Sequence, residues 1–169
     1  MVVVPSAQLL ADAASMEAHT QAVAAVTAAA GGAVTYALAP SRPSSGVVVT
    51  TRVDAQDDTC VKGGIRGLTR NSLQGGELVS SEIIFCSLNV ARSATIAHEL
   101  GHTFGLRHSP DDSELMYFQF GSRRATTFGT RESLLMHLML DRPAGNRFPD
   151  NDRTATASAA RTEELTICR

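Results

Sequence analysis

Three histidines and a glutamate crowd into the stretch His98-Glu99-Leu100-Gly101-His102-Thr103-Phe104-Gly105-Leu106-Arg107-His108, and Met116 follows shortly after. Imidazole nitrogens are common zinc ligands. On a helix of about 3.6 residues per turn, His98 and His102 lie one turn apart on the same face and can offer two nitrogens to one ion. Glu99 is displaced around the helix from that face. It can reach a water on the metal without binding the metal itself, which is the place of a general base. Gly105 falls where the helix should end, and glycine enters left-handed backbone without steric cost, so the chain can turn back and bring His108 round as third ligand. Three protein ligands leave the fourth tetrahedral position open, as in a catalytic zinc site. The expected chemistry is hydrolysis of an amide. Zinc lowers the pKa of bound water from about 15.7 to about 7, whereas one general base supplies a factor of about 10² to 10⁴, so the metal carries most of the activation. Glu99 would take the water proton during attack on a peptide carbonyl and pass it to the leaving amine.

The helix that must carry these groups has its own pattern. Ile96, Leu100 and Phe104 recur every four residues as an apolar stripe, and Ala97 and Gly101 are small enough for close packing. Glycine in a helix interior costs about 1 kcal/mol relative to alanine, which implies that something approaches the backbone at Gly101.

The run HELGHTFGLRHSPDDSELMY, His98 to Tyr117, resembles the metzincin consensus. Within that clan it is most similar to the matrixins, through Ser109 after the third histidine and through Leu115-Met116-Tyr117. The resemblance implies that Met116 lies in a tight turn beneath the metal as an apolar base and not as a ligand. It also implies that Tyr117 and Phe118 help wall the pocket for the side chain after the scissile bond; Phe118 stands where matrixins usually have proline. The fold it implies is α+β and zincin-like: a twisted mixed sheet of about five strands, an N-terminal helix, an active-site helix and a C-terminal helix. That catalytic domain would span residues 1–153, with 154–169 as a tail. In that architecture an extended peptide adds to the sheet edge through main-chain hydrogen bonds, and residues Ile65 to Thr69 are the candidates for the edge. The histidine and aspartate set that holds a second, structural zinc in vertebrate matrixins is missing, since only His19 and His137 lie outside the motif. One zinc is expected. The first cysteine is Cys60, so no cysteine-switch motif precedes the motif.

The chain of 169 residues, 43% hydrophobic and 19% charged, can bury a real core as one domain. A net charge of −2 gives no electrostatic reason to expect nucleic acid or an anionic membrane as partner. No apolar run is long enough to span a bilayer. Met1-Val2-Val3-Val4-Pro5 lacks the flank and cleavage site of a signal peptide and reads as the end of a strand. Cys60, in a polar loop, and Cys86, at the end of a strand, are either a disulfide adding about 3 to 4 kcal/mol or two unpaired half-buried thiols. A bridge would place the protein outside the cell, secreted or at the surface, with its export signal upstream of this chain. Cys168 reads as a free or intermolecular thiol rather than a fourth zinc ligand, and the absence of a CxxC pair separates the chain from archaemetzincins.

Along the chain, Ser6 caps a long alanine-rich helix to about Ala30, stopped by Gly31-Gly32. Strands follow at Ala33 to Ala39, Gly46 to Val53 and Glu77 to Phe85, with a polar glycine-rich stretch from Asp54 to Gly76. Ser87 or Asn89 caps the active-site helix. A last helix runs from Thr130 to about Leu140 and buries Leu134, Leu135, Leu138 and Met139, with His137 on its polar face. Asp150, Asn151 and Asp152 offer oxygen donors for calcium, but without the loop spacing of an oxygen-ligand site they read as a solvated turn. The tail from Thr154 to Arg169 shows little that predicts order. The function expected is that of a monomeric zinc endopeptidase acting on protein or peptide. The alternatives are a zinc hydrolase of a non-peptide amide and a non-catalytic metal-binding module.

Overall fold

The computed structural model describes residues 1–141 and 161–169. Its elements are β1 (Val2–Pro5), α1 (Ala7–Leu10), α2 (Ala13–Ala29), β2 (Ala37–Leu38), β3 (Val48–Val53), β4 (Gly67–Gln74), β5 (Glu77–Phe85), α3 (Ser93–Phe104), α4 (Thr130–Leu140) and β6 (Arg161–Cys168). The strands form one six-stranded sheet in the order β2-β1-β3-β5-β4-β6. Pairing is parallel from β2 through β5 and antiparallel for β5 with β4 and for β4 with β6. The architecture is the expected α+β one, with a mixed sheet of six strands in place of about five.

Alternation along β5 shows how the sheet divides its two faces. Ile83 and Phe85 join the main core with Val3 and Val49, against Ala22 and Val26 of α2 and Ile96 and Leu100 of α3. Ile84, one residue out of step, faces the other side with Leu68 and Cys60. The alanines of α2 let it lie close to α3. His19 is buried between α2 and the sheet, where its Nδ1–H donates to Ser15 O at 2.8 Å and its Nε2 accepts from Thr51 Oγ1 at 2.9 Å. It is a satisfied core histidine.

Several elements differ from the sequence expectation for local reasons. The first helix is split: Asp12 breaks it, its carboxylate accepting from Ser15 N at 2.8 Å, so Asp12 and not Ser6 caps α2. Gly31 and Gly32, both at positive φ, stop α2 as expected. Only Ala37–Leu38 of the Ala33 to Ala39 stretch pairs in the sheet. The edge candidate Ile65 to Thr69 is corrected: the strand β4 begins at Gly67, runs to Gln74 before the Gly75-Gly76 turn, and is not an edge, since β6 pairs along its outer side. Arg92 precedes α3 in extended conformation, while Ser87 and Asn89 belong to the turn before it.

The helix α4 has the expected bounds and a different buried side. Leu134, Leu135 and Leu138 are exposed, whereas Glu132 and Met136 are buried, with Met139 half-buried beside them. The reason is polar satisfaction. Glu132 turns inward because Oε1 accepts from Met116 N and Oε2 from Gly129 N, both at 2.7 Å, and the helix rotates with it.

The Cys60–Cys86 disulfide is formed across a separation of 26 residues. The expectation that the tail lacks order is overturned for residues 161–168, which pair with β4 from Gln74↔Arg161 to Gly67↔Cys168. The calcium candidates Asp150, Asn151 and Asp152 lie outside the described residues. Among the described residues no helix is long and apolar enough to cross a membrane.

Candidate metal centre

The helix α3 presents His98 and His102 on one face, and Gly105 ends it in left-handed conformation at φ 102°. The Gly105 N–H and Leu106 N–H close the helix onto His102 O and Gly101 O, and the chain reverses to bring His108 back. His102 Nε2 lies 3.1 Å from His98 Nε2 and 3.2 Å from His108 Nε2. His98 Nδ1 donates to Leu115 O and His102 Nδ1 to Leu106 O, each at 2.7 Å. A carbonyl can only accept, so the proton of each ring sits on Nδ1 and both Nε2 lone pairs are left facing the common point. Burial holds these imidazoles neutral: it pushes His98 well below its usual pKa, takes His102 down to about 3 and lowers His108. Neutral imidazole is the ligand form.

A fourth group completes the cluster. Cys168 Sγ lies 3.4 Å from His108 Nε2, 3.4 Å from His102 Nε2 and 3.5 Å from His98 Nε2. Metal–nitrogen bonds of about 2.0–2.1 Å and a metal–sulfur bond of about 2.3 Å give a tetrahedron with N···N edges of about 3.3–3.4 Å and N···S edges of about 3.5–3.6 Å. The residues therefore fit a tetrahedral ion, by donor type and by spacing. Cys168 is a free thiol as expected, but β6 carries it in among the histidines, where its sulfur could serve as the fourth ligand that the sequence reading set aside. Nothing local in the sequence marks that placement.

Glu99 is buried beside the cluster. Its Oε2 accepts from Thr69 Oγ1 at 2.6 Å, and its Oε1 has no hydrogen-bond partner among the described residues. Burial raises its pKa to about 7, against the opposing pull of the Thr69 hydroxyl. The strand β4 shapes this corner through one face. A Cβ on Gly67 would stand 2.8 Å from Glu99 Oε1, Thr69 holds Oε2, and Asn71 Nδ2 donates to His102 O at 2.8 Å. Asn71 is itself fixed, its Oδ1 accepting from Ser81 Oγ at 2.8 Å. Sequence reasoning missed Thr69 and Asn71. The signal available was the i, i+2, i+4 spacing of Gly67, Thr69 and Asn71, of which the edge candidate Ile65 to Thr69 took in the first two without giving them a part in the site.

Met116 is buried against α3, and the small residue in the helix is explained by it: a Cβ on Gly101 would come within 2.6 Å of Met116 Sδ. The turn is held by Ser109 N donating to Met116 O at 2.8 Å and by the buried Glu132 carboxylate.

The family model of the matrixins matches residues 19–133, more than half of the chain. The chain belongs to the matrixin family. Curated proteins yield no significant match. Matrixins are zinc metallopeptidases that act on proteins and are typically extracellular. In this matrixin the matched stretch contains the three histidines, Glu99 and Met116 and stops well before Cys168. Tyr117 is half-buried against the Phe118 ring, 4.7 Å between centroids, and Phe118 is exposed. The Phe120 ring lies 4.9 Å from that of His98, with the Arg123 guanidinium over it at 4.7 Å from the centroid. Arg123 also donates to Leu115 O at 3.1 Å, the carbonyl that orients His98.

Proposed function

We propose that this matrixin is a zinc endopeptidase in which His98, His102 and His108 hold the ion and Glu99 is the general base. The observation that carries the reading is the pairing of three converging Nε2 atoms with a buried carboxylate whose Oε1 is unengaged. When bound, zinc would supply Lewis-acid polarisation of the substrate carbonyl and activation of the attacking water. Glu99 accepts the proton of the nucleophile and returns it to the leaving amine, and the raised pKa from burial suits a group that must take and give a proton near neutrality. Thr69 and Gly67 hold the carboxylate in place, the first by its hydroxyl and the second by having no side chain. Met116 forms the apolar floor, and Tyr117 and Phe118 contribute to the wall of the pocket beyond the scissile bond.

Peptide is favoured over a small amide because β4 already accepts an extended segment along its length, through main-chain bonds, beside the histidines. A closed, non-catalytic metal site is the second reading, prompted by Cys168. Glu99 weighs against it, since a structural site gains nothing from a buried carboxylate left half unpaired. We place the working site in an oxidising compartment outside the cytosol, which the Cys60–Cys86 bridge supports. The protein acts as a monomer on this reading.

The test is Glu99→Ala, with elemental analysis of the folded protein and mass spectrometry of a diverse peptide library incubated with and without chelator. The expected result is retained zinc with chelator-sensitive internal cleavage lost. Loss of zinc in the variant would contradict the role given to Glu99.

A further inference from the structure

We propose that the C-terminal strand β6 is a built-in inhibitor of this site, with Cys168 as a fourth ligand to the metal and the strand seated where substrate must bind. The proposal rests on the reading that the histidine cluster holds zinc. Its first support is position. Cys168 Sγ is buried and 3.4–3.5 Å from all three imidazole Nε2 atoms, the spacing of a tetrahedral corner. The second is the neighbouring carboxylate: Glu99 is buried beside Cys168 and meets its thiol, so the strand's end occupies the corner that the general base faces. The third is occupancy of the sheet edge. Without β6, β4 would be the last strand and its outer main-chain groups would be free for a peptide. With β6 present, pairing runs the whole length of β4.

The end of the tail continues across the cluster. Arg66 N donates to Cys168 O at 2.9 Å, and Phe120 N donates to Arg169 O at 2.9 Å, so these two residues bridge from the β4 side to the Phe120 side. A substrate carbonyl brought over the metal needs that path. Substrate and tail therefore exclude each other.

The seat is reversible by construction. Residues 161–165 and Ile167 are exposed, and Cys168 is the one buried side chain of the strand. Little apolar surface holds β6 down, which leaves its main-chain bonds and the thiol to do so. The thiol binds as thiolate, releasing its proton to solvent, and leaves when another ligand takes the corner. Cys168 lies outside the stretch matched to the matrixins, so this closure belongs to the chain's own C-terminal segment.

The full chain, stripped of metal and reloaded with cobalt(II), tests this directly. Wild type should show the near-ultraviolet thiolate-to-cobalt charge-transfer absorption, and Cys168→Ala should bind cobalt without it. Zinc-loaded wild type should resist alkylation at Cys168 by iodoacetamide and become reactive after chelation, a measurement that needs no variant. Cys168→Ala, with Cys168→Ser as a second variant should alanine fail to fold, should cleave peptides about tenfold faster or more, as expected if wild type is open less than about a tenth of the time. Absence of the charge-transfer band in wild type overturns the proposal, whatever the peptidase assay shows. A band with active wild type and no gain in either variant overturns the inhibitory role. A band with neither wild type nor variant cleaving peptide would instead sink the peptidase reading and leave Cys168 as ligand of a closed structural site.

Discussion

Two regions of the molecule meet at the metal centre and are built in opposite ways. The helix side, α3 with its turn and Met116, supplies all three imidazoles and Glu99 from one contiguous stretch, oriented by carbonyls close in sequence. The sheet-edge side supplies Gly67, Thr69, Asn71 and Cys168 from strands that are distant from α3 in sequence and adjacent to it only because β4 packs there. The first side is a local object that a helix period nearly determines. The second exists only in the finished sheet. The imidazoles thus come from one local stretch, while the groups that hold Glu99 and the thiol beside the imidazoles come from the sheet.

That division can be broken from either side. The largest effect should come from His102→Ala on the helix side. Metal affinity should fall by more than the roughly 10- to 100-fold typical of an outer-shell change, and turnover should drop to background. Dialysis against a metal buffer followed by elemental analysis reads this out, and undiminished zinc would show that His98, His108 and Cys168 hold the ion without His102.

Next is the Cys60→Ser, Cys86→Ser pair, which frees the loop before β4 from the end of β5. On the chain-entropy model a loop of this length is worth about 3.5 kcal/mol, to be read as a lower urea midpoint. Smaller still is Gly67→Ala. Its Cβ would meet Glu99 Oε1 at 2.8 Å, so the carboxylate must move. Peptide turnover should fall about 10- to 100-fold with zinc content unchanged, the scale of a misplacement near 1 Å. Equal loss of metal would mean that the edge positions ligands as well as the base.

The smallest effect concerns a histidine that belongs to neither side. Burial lowers the pKa of His19, so its neutral form is favoured in the fold and its contribution is intact above the unfolded value of about 6.5. Stability should decline as pH falls below that point, with a contribution from one proton of at most about 1.4 kcal/mol per pH unit. His19→Gln should flatten this part of the profile. An unchanged slope in thermal melts between pH 7 and pH 5 would remove His19 as the cause.

Legibility in the sequence follows the same division. His98, Glu99, His102 and His108 could be read because their geometry depends on helical period and one glycine, and Glu77–Phe85 and Thr130–Leu140 could be read because apolar spacing and turn residues bound them. The strand β6 could not. Arg161-Thr162-Glu163-Glu164-Leu165-Thr166 is polar on both faces, and its extended form is stabilised by an unpaired edge that only the tertiary fold creates. The buried side of α4 was also hidden. A count of leucines assigns the wrong face when a carboxylate is needed inside to meet two backbone N–H groups.

That carboxylate has a mechanical meaning. Glu132 ties the start of α4 to the backbone of Met116, so a displacement of the last helix reaches that turn through a directional hydrogen bond as well as through the packing of Met136. Leucines on the outer flank of α4 can drift in evolution without the centre noticing, whereas shortening the tie by one methylene would shift that turn.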